Sequence, residues 1–239
     1  MNNFIKVNNI IIYKKNIIIK LSEKHGKFIV VEGIEGAGKS TIVKYIKKIF
    51  FERNIKILCS REPGGTLIGE KIRTLLLEKD NEEKIISETE LLLIYASRIQ
   101  HVQQVIKPNL CKGIWVISER FKWSTLAYQG GGRGVKIEKI KELDDLFLKN
   151  FEADLTIYLD VSTKESTNRC QKRKKDRIEE ESLIFFEKAK KVFLKQMQES
   201  KKCLIINGMK KKEDIEKIIC EKINQFINSN MNIKGNNIF

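Results

Sequence analysis

The segment Gly33–Ser40 constrains this chain more than any other feature. The apolar run Phe28–Val31 before it predicts a buried strand, and the residues after it keep helical spacing. A strand, a glycine-rich loop and a helix N-terminus together direct several backbone N–H groups at one point, which suits a polyphosphate. The segment matches the pattern G-x-x-x-x-G-K-[ST] through Gly33, Ile34, Glu35, Gly36, Ala37, Gly38, Lys39 and Ser40.

We therefore expect the chain to bind a nucleoside triphosphate. In this pattern the lysine, Lys39, reaches the β- and γ-phosphates, and the hydroxyl of Ser40 ligates Mg²⁺. One residue of the loop does not follow from phosphate binding: Glu35 places a carboxylate beside a triphosphate, where like charges repel. Either Glu35 points into solvent, or it faces a second substrate and accepts a hydroxyl hydrogen bond.

Size and charge limit the class of protein. A length of 239 residues with 41% hydrophobic residues suits one α/β domain with appendages. The formal net charge of +15 raises the question of nucleic acid, but the basic residues do not gather on one stripe. We therefore expect a generally basic enzyme with no nucleic-acid partner.

The cysteines indicate a reducing compartment. There are five of them, an odd number with no C-x-x-C spacing, which argues against a disulfide framework and a zinc site. Cys59 and Cys203 lie in apolar runs, where cysteine acts as a small hydrophobe. This pattern predicts a cytoplasmic protein.

Three regions are expected along the chain: an Asn/Lys/Ile-rich extension at 1–26, one domain at 27–228, and a polar tail at 229–239. The apolar stretches of the extension are too short and too interrupted to span a membrane, so no membrane association is expected.

Strand patterns alternate with helical patterns through the domain, which predicts an α/β fold with a five-stranded parallel sheet and helices on both faces. The predicted strands are Lys27–Glu32, Lys56–Ser60, Ile114–Ser118, Leu155–Leu159 and Cys203–Ile206. The predicted helices are Lys39–Arg53, Leu67–Glu78, Ser87–Ile106, Ile137–Asn150, Lys164–Lys174, Glu180–Ser200 and Asp214–Ile227.

Charged side chains follow two of these strands, at the edge where the carboxyl ends of parallel strands meet. Arg61 precedes a Pro-Gly-Gly turn and could clamp a phosphate or form an ordinary surface ion pair. Glu119 and Arg120 follow the next strand and could hold Mg²⁺ and phosphate, or pair with each other.

Three further segments suggest an acceptor site and a lid. Gln129–Gly134 is either a flexible linker or a loop that lines a substrate. Ile94 and Arg98 share one helix face and could contact the face and the edge of a base, although core packing also explains Ile94. The basic cluster within 165–181 is either a solvated face or a lid that closes over transferring phosphates.

Together these residues resemble the bacterial thymidylate kinases, which are P-loop nucleoside monophosphate kinases with a lid. The resemblance covers roughly residues 27–227, and its most specific pieces are Glu32–Ser40, Arg61–Thr66, Ser124–Gly134 and Asp176–Glu179. It implies Mg²⁺-dependent transfer of the ATP γ-phosphoryl group to dTMP, and a homodimer. It also implies dTMP contacts at Glu35, Arg61, Ile94, Arg98, Arg120, Ser124, Thr125 and Tyr128, catalytic roles for Lys39, Arg120, Arg169 and Arg173, and Mg²⁺ at Ser40 and Glu119.

Two residues depart from the family pattern. The family usually has Asp where this chain has Glu119, and Phe where it has Ile94. The rival interpretations are a nucleic-acid-binding P-loop ATPase, suggested by the charge, and a degenerate kinase fold that binds nucleotides without catalysis.

Overall fold

The computed structural model describes residues 4–7, 10–13, 18–20, 25–79, 83–171 and 176–231. Its strands are β1 (Phe4–Val7), β2 (Ile10–Tyr13), β3 (Ile18–Lys20), β4 (Phe28–Glu32), β5 (Ile57–Arg61), β6 (Trp115–Glu119), β7 (Leu155–Asp160) and β8 (Cys203–Asn207).

The central sheet has five strands in the order β5-β6-β4-β7-β8. All four pairings are parallel, with Val31 beside Glu119 on one side of β4 and beside Ile157 on the other. Every residue of β4 is buried, as an apolar run in the middle of a parallel sheet requires. This order places the carboxyl ends of β4, β5 and β6 side by side. Gly33, Arg61 and Arg120, which lie at those ends, are therefore at one edge of the sheet.

The helices are α1 (Lys39–Glu52), α2 (Leu67–Leu77), α3 (Ser87–His101), α4 (Lys107–Cys111), α5 (Lys122–Thr125), α6 (Ile137–Leu148), α7 (Thr163–Cys170), α8 (Leu183–Glu199) and α9 (Lys212–Met231). None of the helices in the described part of the chain is long and apolar enough to cross a membrane.

Apolar side chains cover both faces of the sheet. On one face, Ile46 of α1 and Ile223 of α9 pack with Ile29 of β4. On the other face, Tyr95 of α3 and Ile140 of α6 pack with Val30 of the same strand. Burial on both faces confirms the predicted α/β fold, which matches a P-loop kinase fold.

Two segments differ from the sequence prediction because they continue as π-helix. Val102–Ile106 joins α3 to α4, so the predicted helix Ser87–Ile106 continues to Cys111. Leu126–Gly132 continues α5, so most of the predicted glycine-rich loop is helical. A Cβ atom on Gly131 would lie 2.8 Å from Val192 Cγ2, and one on Gly132 would lie 2.3 Å from Phe185 Cε2. The glycines therefore serve close packing against α8 rather than flexibility.

Residues 4–20 include secondary structure that the sequence prediction did not contain. β1, β2 and β3 pair antiparallel in a sheet of their own, with Phe4 opposite Tyr13 and Ile11 opposite Ile19. The two apolar stretches of the expected extension thus contribute strands to a second sheet.

Candidate active site

The loop after β4 is shaped to receive an anion. Gly33, Gly36 and Gly38 have φ angles of 146°, 68° and 96°, which side-chain-bearing residues rarely adopt. Gly38 caps helix α1, which has no side-chain cap and no acidic residue in its first turn. The first N–H groups of α1 and the positive end of its dipole are thus not offset by an acidic residue within the first turn of the helix itself.

Lys39 lies inside this loop. Its side chain is buried, and Nζ donates to the backbone oxygen of Ile34 at 2.8 Å. Burial and the nearby Arg120 lower the pKa of Lys39 to about 8, although Glu35 and Glu119 act in the opposite direction. A bound triphosphate would add negative charge beside Lys39 and so favour the protonated form of its ammonium group.

Ser40 and Glu119 meet where β6 ends beside α1. Ser40 Oγ donates to Glu119 Oε2 at 2.7 Å. Mg²⁺ prefers one or two carboxylates with hydroxyl, water and phosphate oxygens, and this pair supplies two such oxygen atoms. The described residues contain no cluster of three or more His, Cys, Asp or Glu side chains placed to hold a metal. The hydroxyl of Ser40 and the carboxylate of Glu119 are oxygen donors that fit Mg²⁺ held jointly with a polyphosphate.

Glu35 faces the cleft and not the solvent. Its Oε1 accepts from Arg120 Nη2 at 2.5 Å, and its Oε2 accepts from the Tyr128 hydroxyl. Burial alone would raise the pKa of Glu35, but Arg120 and Lys39 outweigh it and hold that pKa below its usual value. Glu35 is thus an ionised acceptor beside the phosphate loop.

Arg120 joins several parts of the site. Its Nη1 donates to the backbone oxygen of Gly33 at 3.1 Å and to Ser124 Oγ at 3.0 Å, and its guanidinium lies 5.1 Å from the centre of the Tyr128 ring. Its backbone is in the left-handed region, with φ of 70°. An arginine in that conformation is uncommon outside functional sites, and its N–H bond to the Val31 oxygen at 2.9 Å holds it there.

Arg98 is buried at the opposite wall of the cleft. Nε donates to Glu62 Oε2 at 2.6 Å, and Nη2 donates to the backbone oxygen of Phe121 at 2.9 Å. Nη1 is buried without a hydrogen-bond partner, as is Thr125 Oγ1. Unpaired buried polar atoms are costly unless a ligand completes them, and both residues line the cleft. A planar group with hydrogen-bonding edges would satisfy this wall.

Two arginines flank the turn after β5: Arg61 ends the strand and Arg73 lies on α2. Arg61 pairs with Glu70 at 2.8 Å, and the other oxygen of Glu70 accepts from the Gly65 N–H at 2.9 Å. Arg73 of α2 donates to the Pro63 oxygen at 3.0 Å. Burial and the nearby charges of Arg61 and Arg120 lower the pKa of Arg73. Positive charge is therefore concentrated at this side of the cleft, as an anionic acceptor requires.

A single cleft of about 1100 Å³ connects these groups. Of the predicted site residues it is lined by Glu35, Gly36, Gly38, Lys39, Ser40, Arg61, Ile94, Arg98, Glu119, Arg120, Ser124, Thr125 and Tyr128. Gly33, Ile34 and Ala37 lie behind the loop surface and do not line it. Both halves of the predicted site thus open into one space.

The lid residues are placed less directly. Arg169 donates to Glu165 at 2.8 Å, to the Gly208 oxygen at 3.2 Å and to the Gly36 oxygen at 3.4 Å, so it lies against the phosphate loop without lining the cleft. Arg173 lies outside the described residues. Asp176, Arg177, Ile178 and Glu179, at the far end of the predicted lid, line the cleft.

Sequence reasoning missed several buried acids that hold the site together. Glu32 accepts from the N–H groups of Phe121 and Ser124 and from the Ser124 hydroxyl, at 2.8, 3.2 and 2.6 Å. Glu62 orients Arg98, and Glu90 contacts Gln129 at 2.7 Å. The sequence does show acids at the end of a strand or within an apolar helix face, which indicates that they are buried. It does not show which residue each acid contacts.

Comparison with known proteins agrees with this geometry. The thymidylate kinase of Francisella tularensis subsp. tularensis (strain WY96-3418) is 46% identical over 194 residues, which are 81% of this chain and 93% of the relative. That of Buchnera aphidicola subsp. Baizongia pistaciae (strain Bp) is 44% identical over 206 residues, covering 85% and 97%. The family model described as thymidylate kinase matches residues 31–219. The chain therefore belongs to the thymidylate kinase family.

Proposed function

We propose that this cleft transfers the γ-phosphoryl group of ATP to dTMP through the residues named below. The observation that carries the proposal is that the P-loop and the pocket of Arg98 and Arg120 open into one cleft, with Glu35 between them. The family's reaction, ATP-dependent phosphorylation of dTMP to dTDP, is the activity of this chain. An oxygen of the dTMP phosphate forms the new P–O bond, and the bond from the γ-phosphorus to the β-phosphate oxygen breaks.

On the donor side, the N–H groups between Gly33 and Ser40 bind the β-phosphate, and Lys39 stabilises the charge on the transferring group. Phosphoryl transfer needs little covalent chemistry from the protein, so positioned positive charge supplies most of the rate enhancement. Arg169 and Arg173 of the proposed lid, about 165–181, would add charge when the lid closes.

On the acceptor side, Arg120 and Arg61 bind the dTMP phosphate, and Glu35 accepts a hydrogen bond from the sugar hydroxyl. Arg98 donates Nη1 to the base edge, with Ser124 and Thr125 beside the base and Tyr128 near the sugar. These assignments are supported by the buried unpaired atoms of Arg98 and Thr125 and by the contact of Glu35 with Arg120.

Mg²⁺ would be held by Ser40 and Glu119, in part through water, and would neutralise part of the charge of the triphosphate. Replacing Glu119 with glutamine keeps a hydrogen-bond acceptor for Ser40 but removes the carboxylate charge. We expect the Mg²⁺ concentration for half-maximal rate to rise about tenfold at saturating ATP and dTMP. A Mg²⁺ titration of both enzymes tests this, and identical curves would exclude Glu119 from the metal site.

Ile94 is half-buried and lines the cleft, where it would pack on the thymine face. An aromatic ring stacks on a base better than a branched aliphatic chain does. We expect Ile94→Phe to strengthen dTMP binding by about 1 kcal/mol, or roughly fivefold in Kd. Calorimetry of the wild type, Ile94→Phe and the control Ile94→Leu measures this, and unchanged or weaker binding in Ile94→Phe would refute it.

A homodimer is proposed through α2 and α3. Leu67, Ile68, Leu75 and Leu92 on these adjacent helices are 87%, 53%, 42% and 57% exposed. Exposed apolar side chains on two adjacent helices suit coverage by a second copy. Light scattering should give the mass of two chains.

The domain bounds and the compartment are also proposals. We assign 1–26 as an extension, 27–228 as the kinase domain and 229–239 as a tail; the family match at 31–219 falls inside the domain. A reducing cytoplasm is supported by the five cysteines, none of which forms a disulfide bond.

An acceptor panel tests the proposed function. ADP release should be stimulated strongly by dTMP and far less by dUMP, dCMP, dGMP and AMP. Absence of dTMP stimulation in folded protein would contradict the proposal.

A further inference from the structure

Glu90 is a buried carboxylate that the proposed chemistry does not use. It lies on α3 and is 1% exposed. It accepts from Gln129 Nε2 at 2.7 Å, from Arg133 Nε at 3.2 Å and from Arg177 Nη2 at 2.6 Å. These partners come from the π-helical segment, the turn after it and the far end of the lid, which are 39, 43 and 87 residues away in sequence. One side chain therefore joins three separate parts of the cleft wall.

The charge of Glu90 determines how Gln129 is oriented. Burial would raise the pKa of Glu90, but the hydrogen bonds from Gln129, Arg133 and Arg177 and the charge of Arg133 hold that pKa below its usual value. An ionised carboxylate only accepts hydrogen bonds, so Gln129 must turn its NH₂ group toward Glu90. The amide oxygen of Gln129 is then turned away from Glu90, and it is the side chain's hydrogen-bond acceptor for a ligand.

This orientation matters because Gln129 lines the same cleft as Arg98. An acceptor on Gln129 and the unpaired Nη1 donor on Arg98 complement a base with an N3–H donor and a C4 carbonyl acceptor, as in thymine. Cytosine presents the opposite pair, a ring acceptor and an amino donor. A fixed amide thus favours thymine over cytosine.

The two arginines that contact Glu90 also bind other parts of the protein. Besides its bond to Glu90, Arg177 donates Nε to the Leu76 oxygen at 2.7 Å and its backbone N–H to the Leu77 oxygen at 3.3 Å. Arg133 also pairs with Glu181 of the lid. Asp176 and Ile178, the neighbours of Arg177, line the cleft, so this anchor sets where residues 176–178 lie over the cleft.

We propose that Glu90 is a positioning residue that links base recognition to lid placement. Its carboxylate fixes the amide of Gln129 toward the base and anchors Arg177 over the cleft. The proposal rests on the proposed dTMP kinase function but assigns to Glu90 a role that the reaction alone does not require.

Glu90→Gln tests it, because a neutral amide lets Gln129 adopt either orientation. We expect the Kd ratio of dCMP to dTMP, measured by calorimetry and competition titration, to fall about tenfold, with weaker dTMP binding and lower kcat. Glu180→Gln is the matched control: Glu180 is an exposed lid carboxylate paired with Lys79, and its loss should change none of these values. A purely structural role would weaken both nucleotides equally and leave the ratio unchanged, which would overturn the proposal.

Two more variants separate the two proposed roles of Glu90, in base recognition and in lid placement. Gln129→Met should reproduce the fall in the Kd ratio, and adding Glu90→Gln to it should lower the ratio no further. Arg177→Gln removes the anchor of residues 176–178, so kcat should fall about tenfold. It keeps the hydrogen bond between Glu90 and Gln129, so the Kd ratio of dCMP to dTMP should stay as in the wild type. The Arg177→Gln variant also tests the role in lid placement if Glu90→Gln does not fold. If Glu90→Gln lowered the Kd ratio further in the Gln129→Met background, the role of Glu90 in base recognition would be overturned. If kcat were unchanged in Arg177→Gln, its role in lid placement would be overturned. Both outcomes differ from failure of the proposed function, which would show as absent turnover in the wild type.

Discussion

Replacing Lys39 with methionine is expected to lower kcat about a thousandfold while the protein stays folded. Methionine preserves most of the buried apolar stem but cannot place charge beside the transferring phosphoryl group. The folded enzyme should lose little stability, because burial already disfavours the charged form and lowers the Lys39 pKa to about 8. Single-turnover kinetics at saturating ATP and dTMP, with thermal unfolding of the same samples, measure both quantities.

Lys44→Met is the matched control, since Lys44 is exposed on the same helix, α1. It should retain wild-type kcat. If Lys39→Met kept a rate within tenfold of the wild type, Lys39 would not stabilise the transferring group.

Arg120→Met is expected to lower both turnover and stability. Turnover should fall by about a thousandfold, because the acceptor phosphate loses its main cation. Stability should fall by about 3 kcal/mol, because Glu35 is left as a buried carboxylate whose nearest cation, formerly 2.5 Å away, is gone. Denaturant unfolding and initial-rate kinetics provide the two measurements.

A double variant separates these two effects. Adding Glu35→Gln to Arg120→Met removes the unpaired charge, so the free energy of unfolding should recover by 1 kcal/mol or more while turnover stays low. Recovery of turnover along with stability would show that Arg120 acts only by supporting the fold.

The sequence predicted the parts of the site that lie next to one another in the chain or follow neighbouring strands. Gly33–Ser40 is one contiguous motif, and Ser40 meets Glu119 because β4 and β6 are adjacent and parallel. The alternation of strand and helix patterns was enough for the fold, because burial on both faces demands continuous apolar runs such as Phe28–Val31. The catalytic roles of these residues stay predictions.

The remainder depended on contacts that no local pattern encodes. Glu90 and Arg177 are 87 residues apart, and their pairing requires the lid to lie across α3. The glycines at 130–132 indicated a loop by composition, yet they are helical. A Cβ atom on Gly131 or Gly132 would meet α8, and one on Gly130 would meet Ile137 of α6. Composition reports conformational freedom but not the neighbour that makes a small residue necessary.

Transfer of label from ATP tests the central claim most directly, namely that the P-loop and the Arg98–Arg120 pocket form one two-substrate site. The full chain is incubated with Mg²⁺, γ-labelled ATP and dTMP, and the products are separated. The label is expected in dTDP, with release of inorganic phosphate negligible and independent of dTMP. Label found mainly in inorganic phosphate, at the same rate with and without dTMP, would contradict it.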